Sequence, residues 1–240
     1  MKDRELIVDN VSFNYDDLQV IQNLSIKVIA GEFLVLVGPS GCGKTTLLNL
    51  LSGYLKPSSG KVESNGIIRT VYQQDGLFPW LTAAENIKMG LEGKNPSETE
   101  NELKELFELI HLKGFENSYP HELSGGMKQR VELARALAGN SDILLMDEPF
   151  SALDYQTRLR MRHELIRLLN KRPRTVIFVT HDIEEAAQLG DRIIVLSERP
   201  STVLKEIRIS SQKPRKLTDS AVIETMDELL NSLNLNHEII

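Results

Sequence analysis

The chain has 240 residues, with 28 Lys and Arg against 34 Asp and Glu, a formal net charge of −6, five His and one Cys. The length suits one large domain or two small ones around a sizeable core, and the 41% hydrophobic and 26% charged fractions are those of an ordinary globular protein. The acidic balance argues against a general polyanion binder. No run reaches the roughly 18 to 20 apolar residues of a membrane span. The opening MKDRELIVDN lacks the apolar core of a signal peptide, and one cysteine excludes an intramolecular disulfide framework. The expectation is a reduced, cytoplasmic α/β protein.

In chain order, Glu32–Val37 (EFLVLV) is a β-branched apolar run between turn residues, which predicts a buried strand of a parallel sheet. A glycine-rich turn follows at Gly38–Gly43, then a helix from Lys44 to Leu51. A weaker strand is expected at Ile67–Tyr72. Ser97–Ile110 predicts a helix capped by Ser97, with Leu103, Leu106, Phe107 and Ile110 on one stripe. A further helix is expected from about Gly126 to Ala138. Ile143–Met146 and Thr175–Thr180 predict buried strands, Gln156–Leu169 and Ile183–Leu189 helices, and Ile193–Leu196 and Val203–Ile209 two more strands. Strands alternating with helices mean βαβ units and a largely parallel sheet covered on both faces. Residues from about 75 to 138 interrupt that alternation as an inserted helical subdomain. After residue 210 comes a tail, 211–240. It holds a short basic patch (Lys213, Arg215, Lys216), read as a solvated linker, and then Ile223, Met226, Leu230 and Leu233 at helical spacing.

Gly38-Pro39-Ser40-Gly41-Cys42-Gly43-Lys44-Thr45 matches G-x-x-x-x-G-K-[ST] in full, between a predicted strand and a predicted helix. Glycines let successive backbone N–H groups turn inward onto phosphate oxygens, and the following helix adds its positive N-terminal end. Lys44 can reach the β- and γ-phosphates, Thr45 can ligate Mg²⁺, and Thr46 can contact the α-phosphate. The Ile143–Met146 strand ends in Asp147-Glu148. Asp147 suits Mg²⁺, and Glu148 suits a general base that polarises the attacking water. Cys42 lies inside the cradle, where alkylation is expected to block nucleotide binding.

Leu123-Ser124-Gly125-Gly126-Met127-Lys128-Gln129-Arg130, shortly before the ILLMDEP strand, resembles the signature of ATP-binding cassette (ABC) ATPases. The resemblance covers about residues 5 to 210. It implies a P-loop NTPase (RecA-like) α/β core with a mostly parallel sheet, an antiparallel β subdomain and the inserted helical subdomain, residues 1–210 together forming the ATPase domain. It implies that Ser124, Gly125 and Gly126, with Asp154 of Ser151-Ala-Leu-Asp154, act in trans on ATP bound to a second cassette. It further assigns Tyr15 to the adenine ring, Gln73 to Mg²⁺ or the attacking water (with Gln74 next to it), and His181 to sensing the γ-phosphate. His111, His121, His163 and His237 show no ligand spacing and are read as surface or packing residues.

Phe78-Pro79-Trp80 after Gln73 is similar to cassettes of nitrate/sulfonate/taurine-type importers, and would meet the membrane subunit there. The resemblance thus implies an ATPase subunit working as a dimer with ATP and Mg²⁺. It would sit peripherally on the cytoplasmic face of the membrane, with separate permease subunits and, indirectly, an extracytoplasmic solute-binding protein. A chain of about 240 residues leaves no room for the regulatory barrel of sugar-type importers. The alternatives are a cassette of another transporter class, or a cassette acting on nucleic acid or the ribosome. Against the latter stand the single copy of each motif and the lack of any heptad run between Lys44 and Ser124.

Overall fold

A computed structural model describes residues 5–72, 76–91 and 95–233. Two sheets share the chain. Strands β1 (Leu6–Tyr15), β2 (Leu18–Val28) and β4 (Ser59–Ser64) form a three-stranded antiparallel sheet in the order β2-β1-β4. Strands β3 (Phe33–Val37), β5 (Ile68–Val71), β6 (Ile143–Asp147), β7 (Thr175–Val179), β8 (Arg192–Leu196) and β9 (Val203–Arg208) form a six-stranded sheet in the order β5-β6-β7-β3-β8-β9. All its pairs are parallel except β8 with β9.

The continuous apolar runs are explained by burial on both faces. Along β3, Phe33, Val35 and Val37 enter one core, together with Leu144, Met146, Val176 and Phe178. Leu34 and Leu36 enter the other, with Leu145, Ile177 and Val179. The first core is closed by helices α2 (Ala83–Lys88), α3 (Pro96–Leu109), α4 (Gly125–Leu137), α5 (Tyr155–Lys171) and α6 (Ile183–Leu189). The second is closed by α1 (Lys44–Leu51) and the antiparallel sheet. A last helix, α7 (Ser220–Ser232), packs on α6. No helix among the described residues is long and apolar enough to cross a membrane.

Three local expectations are corrected. Helix α3 is capped not by Ser97 but by Asn95, whose side chain accepts from Glu98 N at 2.9 Å, with Pro96 in the first helical position. The buried face of α7 is Val222, Thr225 and Leu229, one position out of phase with the expected stripe, and Ile223 is exposed. Thr225 can face inward because its hydroxyl donates to Ala221 O at 2.7 Å. The basic patch is not a solvated linker. Arg215 is 3% exposed and donates to Ala187 O, Gln188 O and Gly190 O at the C-terminal end of α6, and to Ile209 O and Ser211 O. A charged fork thus satisfies carbonyls that the last turn of a helix leaves without partners. Lys213 pairs with Asp191 at 2.7 Å and lies over the Phe33 ring.

Candidate nucleotide site

The turn from β3 into α1 is held open by backbone geometry. Gly43 has φ +113°, in the left-handed region, and a Cβ there would fall 2.7 Å from Val20 Cγ1 of β2. Glycine is therefore required by conformation and by space together. Lys44 is buried and turns back into the loop, donating to Gly38 O at 2.7 Å and Pro39 O at 3.0 Å. Thr45 hydrogen-bonds to the carboxyl of Asp147 at the end of β6. Burial pushes the Asp147 carboxyl up. The Thr45 bond opposes this, Glu148 adds to it and Lys44 opposes it.

Glu148 leaves β6 with φ +48°, a conformation that costs a non-glycine residue roughly 1–2 kcal/mol. Its backbone is held on both sides. Glu148 N donates to Val179 O at 3.0 Å, and its carbonyl accepts from Ser151 Oγ at 2.9 Å and Gln129 Nε2 at 3.2 Å. So held, its carboxylate lies 3.1 Å from Nδ1 of His181, which follows β7. An unusual backbone held by surrounding bonds is the pattern of a residue whose direction matters.

The loop and Glu148 border an open groove of about 290 Å³, lined by Tyr15, Leu18, Val20, Ser40, Gly41, Gly43, Lys44, Thr45, Thr46, Glu148 and Arg199; Asp147 and His181 do not line it, and join it through Thr45 and Glu148. Eight of the residues singled out from sequence share it. Tyr15 stands half-exposed at its edge, its ring edge-on to Phe13 at 4.8 Å. A cleft of about 340 Å³ between α3 and α5 is larger, but Glu, Arg and Leu side chains dominate its lining and it carries none of the predicted residues. The phosphate loop and the held backbone of Glu148 single out the smaller groove.

Other predicted residues lie elsewhere. Gly38 and Pro39 turn carbonyls to Lys44 and do not line the groove. The Cys42 side chain points away from it and packs with Leu34, Leu36 and Leu47, and burial pushes its thiol up. Ser124, Gly125, Gly126 and Asp154 lie outside the groove's lining. Ser124 caps α4, accepting from Met127 N at 3.3 Å, and Asp154 caps α5, accepting from Thr157 N at 3.0 Å. Bonds from the Thr157 hydroxyl and N–H hold the Asp154 carboxyl low. Gln73 and Gln74, like His237, lie outside the described residues.

Sequence reasoning missed Arg199, in the turn between β8 and β9. Its guanidinium approaches Gly41, with Nη2 3.6 Å from where a Cβ would be. It missed Gln129 as well, although that residue follows the recognised LSGG. Nothing in the sequence marks Arg199, and the signature marks the place of Gln129 without its bonds.

The cradle, the buried carboxylate and the held Glu148 define a nucleotide hydrolase of the P-loop class. The sequence profile of the family described as ABC transporter matches residues 21–151. Similar proteins include an uncharacterized ABC transporter ATP-binding protein of Methanocaldococcus jannaschii, 41% identical over 95% of this chain and 91% of that one. An aliphatic sulfonates import ATP-binding protein of Bacillus subtilis is 42% identical over 83% of this chain and 81% of its own length. A taurine import ATP-binding protein of Roseobacter denitrificans is 40% identical over 85% and 82%. Among solved structures, a dimeric bacterial ABC transporter cassette superposes with a TM-score of 0.79 at 32% identity, covering 86% of this chain and all of that one. A post-hydrolysis dimer bound to ADP and phosphate gives a TM-score of 0.76. The chain belongs to the ABC transporter family and is an ATP-binding subunit whose chemistry is ATP hydrolysis coupled to transport.

Proposed function

We propose that this chain is the ATPase of an importer for a small solute of the sulfonate, taurine or nitrate kind. In this reading it works as a pair of cassettes beneath separate permease subunits, on the cytoplasmic face of the membrane, with an extracytoplasmic solute-binding protein delivering cargo. Residues 1–210 are the ATPase domain, about 75–138 its inserted helical subdomain, and 211–240 a helical tail. The names of the sulfonate and taurine import relatives support the solute class. The docking face is supported by an exposed aromatic pair, Phe78 and Trp80, with ring centroids 5.5 Å apart and Arg135 over Phe78. Beside it runs a groove of about 270 Å³.

The observation that carries the ATPase mechanism is Glu148, held in a left-handed backbone with its carboxylate against His181. Lys44 and the loop amides bind the β- and γ-phosphates, and Tyr15 covers the adenine. Thr45 and Asp147, a hydroxyl beside a buried carboxylate, fit a hard divalent cation, and Gln73 is assigned to it as well. Bound there, Mg²⁺ would neutralise charge developing on the phosphoryl oxygens. Glu148 takes a proton from the attacking water and orients it in line. His181 holds that carboxylate and donates toward the γ-phosphate. Ser124, Gly125, Gly126 and Asp154 act on the nucleotide of the second cassette, which their place outside this chain's groove supports.

The test is Glu148→Gln. It should keep ATP binding, lose most hydrolysis and accumulate a closed dimer. Hydrolysis at the wild-type rate would remove the base assigned here. Ser124→Arg should spare nucleotide binding by the monomer and abolish turnover, and full activity would contradict action in trans.

A further inference from the structure

The start of α4 and the turn after β6 are bonded to each other at one side chain. Gln129, on α4, is 5% exposed. Its Oε1 accepts from Ala152 N at 3.0 Å, and its Nε2 donates to Glu148 O at 3.2 Å and Ser151 Oγ at 3.4 Å. The orientation of the amide is dictated by its partners, because a backbone N–H can only donate and a carbonyl can only accept. Ser151 closes the circuit by donating to the same Glu148 carbonyl. One turn earlier the two segments already touch. A Cβ on Gly126 would meet Ala152 O and Leu153 Cδ2 at 3.2 Å each. Helix α4 therefore packs tightly against the 148–153 segment at Gly126, and the bonds of Gln129 join the two.

We propose that Gln129 is a positioning residue that couples the two nucleotide sites of the cassette pair. The inference rests on the function proposed above, in which the start of α4 serves the nucleotide of a second copy and Glu148 serves its own. Gln129 does not line the groove, so it acts through Glu148 rather than on substrate. Its bond to the Glu148 carbonyl, and that of Ser151, which Gln129 also holds, bear on the residue that must keep φ +48° for the Glu148 carboxylate to face His181. When Ser124 and its glycines are drawn onto the partner's nucleotide, α4 moves with them, and the bonds at Gln129 carry the shift to Glu148. Occupancy of one site thereby sets the aim of the base at the other. The path runs through hydrogen bonds between named groups and not through spatial closeness alone.

The experiment uses the full chain and measures ATP hydrolysis, binding of a fluorescent ATP analogue to the monomer, and thermal unfolding. Gln129→Ala should lower kcat roughly 10- to 100-fold, as expected when a catalytic group loses its aim by a fraction of an ångström. Analogue affinity should stay within about two-fold, and the Hill coefficient for ATP should fall from its wild-type value toward 1. Gln129→Glu keeps the size of the side chain and the acceptor for Ala152, but sets an oxygen against the Glu148 carbonyl. It should lose kcat to a similar degree with analogue binding intact. Unchanged kcat and Hill coefficient in either variant would overturn the proposal. So would a parallel fall of affinity, melting temperature and kcat in both, which marks a purely structural role, and so would a wild-type Hill coefficient of 1. If the wild type fails to hydrolyse ATP, or Glu148→Gln hydrolyses at full rate, the ATPase mechanism itself fails. If those two behave as expected and the Gln129 variants run at the wild-type rate, only the coupling is lost.

Discussion

Oε1 of Glu148 lies 3.1 Å from Nδ1 of His181, joining the ends of β6 and β7, two adjacent strands of the parallel sheet. The contact engages Nδ1 and leaves Nε2 to face other groups. His181→Ala removes this support from a carboxylate whose backbone is already in a costly conformation. The expected result is a kcat roughly 10- to 100-fold lower with little change in ATP affinity. Steady-state hydrolysis alongside nucleotide titration checks it, and a loss confined to affinity would contradict the role.

Arg199 adds a positive charge beside Gly41 on the wall of the groove. A polyphosphate in that groove gains a charge-assisted contact or at least a favourable field. Arg199→Ala should raise the Kd for ATP roughly three- to ten-fold, with the larger effect at low ionic strength, where screening is weaker. Titration at two salt concentrations reads both.

Arg215 holds five backbone carbonyls at the junction of α6, β9 and the segment leading to α7. Arg215→Ala leaves several of them buried without donors. It should lower stability by about 2–4 kcal/mol, seen as a lower urea midpoint, while the groove residues and their chemistry are untouched.

Glu185, on α6, lies in a cluster with Arg158, Arg162 and Asp182, and accepts from Thr180 Oγ1 at 2.7 Å. Burial pushes its carboxyl above the ordinary 4.5. The Thr180 bond and Arg162 oppose that, and the charge of Asp182 adds to it. A native carboxyl that holds its proton to higher pH than the unfolded one gives up stability as pH rises from 4.5 through its native value. Glu185→Gln removes that loss. Urea midpoints measured across this window should therefore shift in favour of the variant as pH rises, and a shift the other way would show that the arginines dominate.

The Cys42 thiol faces the core, with 1% exposure and a raised pKa. Reaction with iodoacetamide should be far slower in the native chain than in denaturant, because the thiolate is both scarce and shielded. The block of nucleotide binding expected from alkylation thus requires the loop to open first. Labelling followed by mass spectrometry, with and without denaturant, decides this.

The parallel core was legible because burial on both faces writes itself as short apolar runs such as FLVLV and ILLMD, and the cradle because glycine spacing is tied to phosphate geometry. The antiparallel sheet was harder to place from the residues. β1 carries Asn10 at φ +52° and breaks register between Val8 and Val11, so its in-and-out alternation is interrupted. The roles of Arg215, Arg199 and Gln129 were hidden for another reason, although Arg215 stands in the basic patch and Gln129 in the signature. Each is a polar residue whose meaning lies largely in partners as far as 19 to 28 positions away, or in a loop it merely faces, and spacing along the chain does not encode such a meeting. The phase of α7 was lost because Thr225, polar by composition, bonds to its own helix and turns inward.

Val20 occupies the space in which any side chain at position 43 would stand. The antiparallel sheet and the phosphate loop are therefore wedged together as one preorganised seat. ATP entering that seat has little chain to immobilise, so little of its binding energy is lost to ordering. What remains is available for work elsewhere in the molecule than at the loop itself.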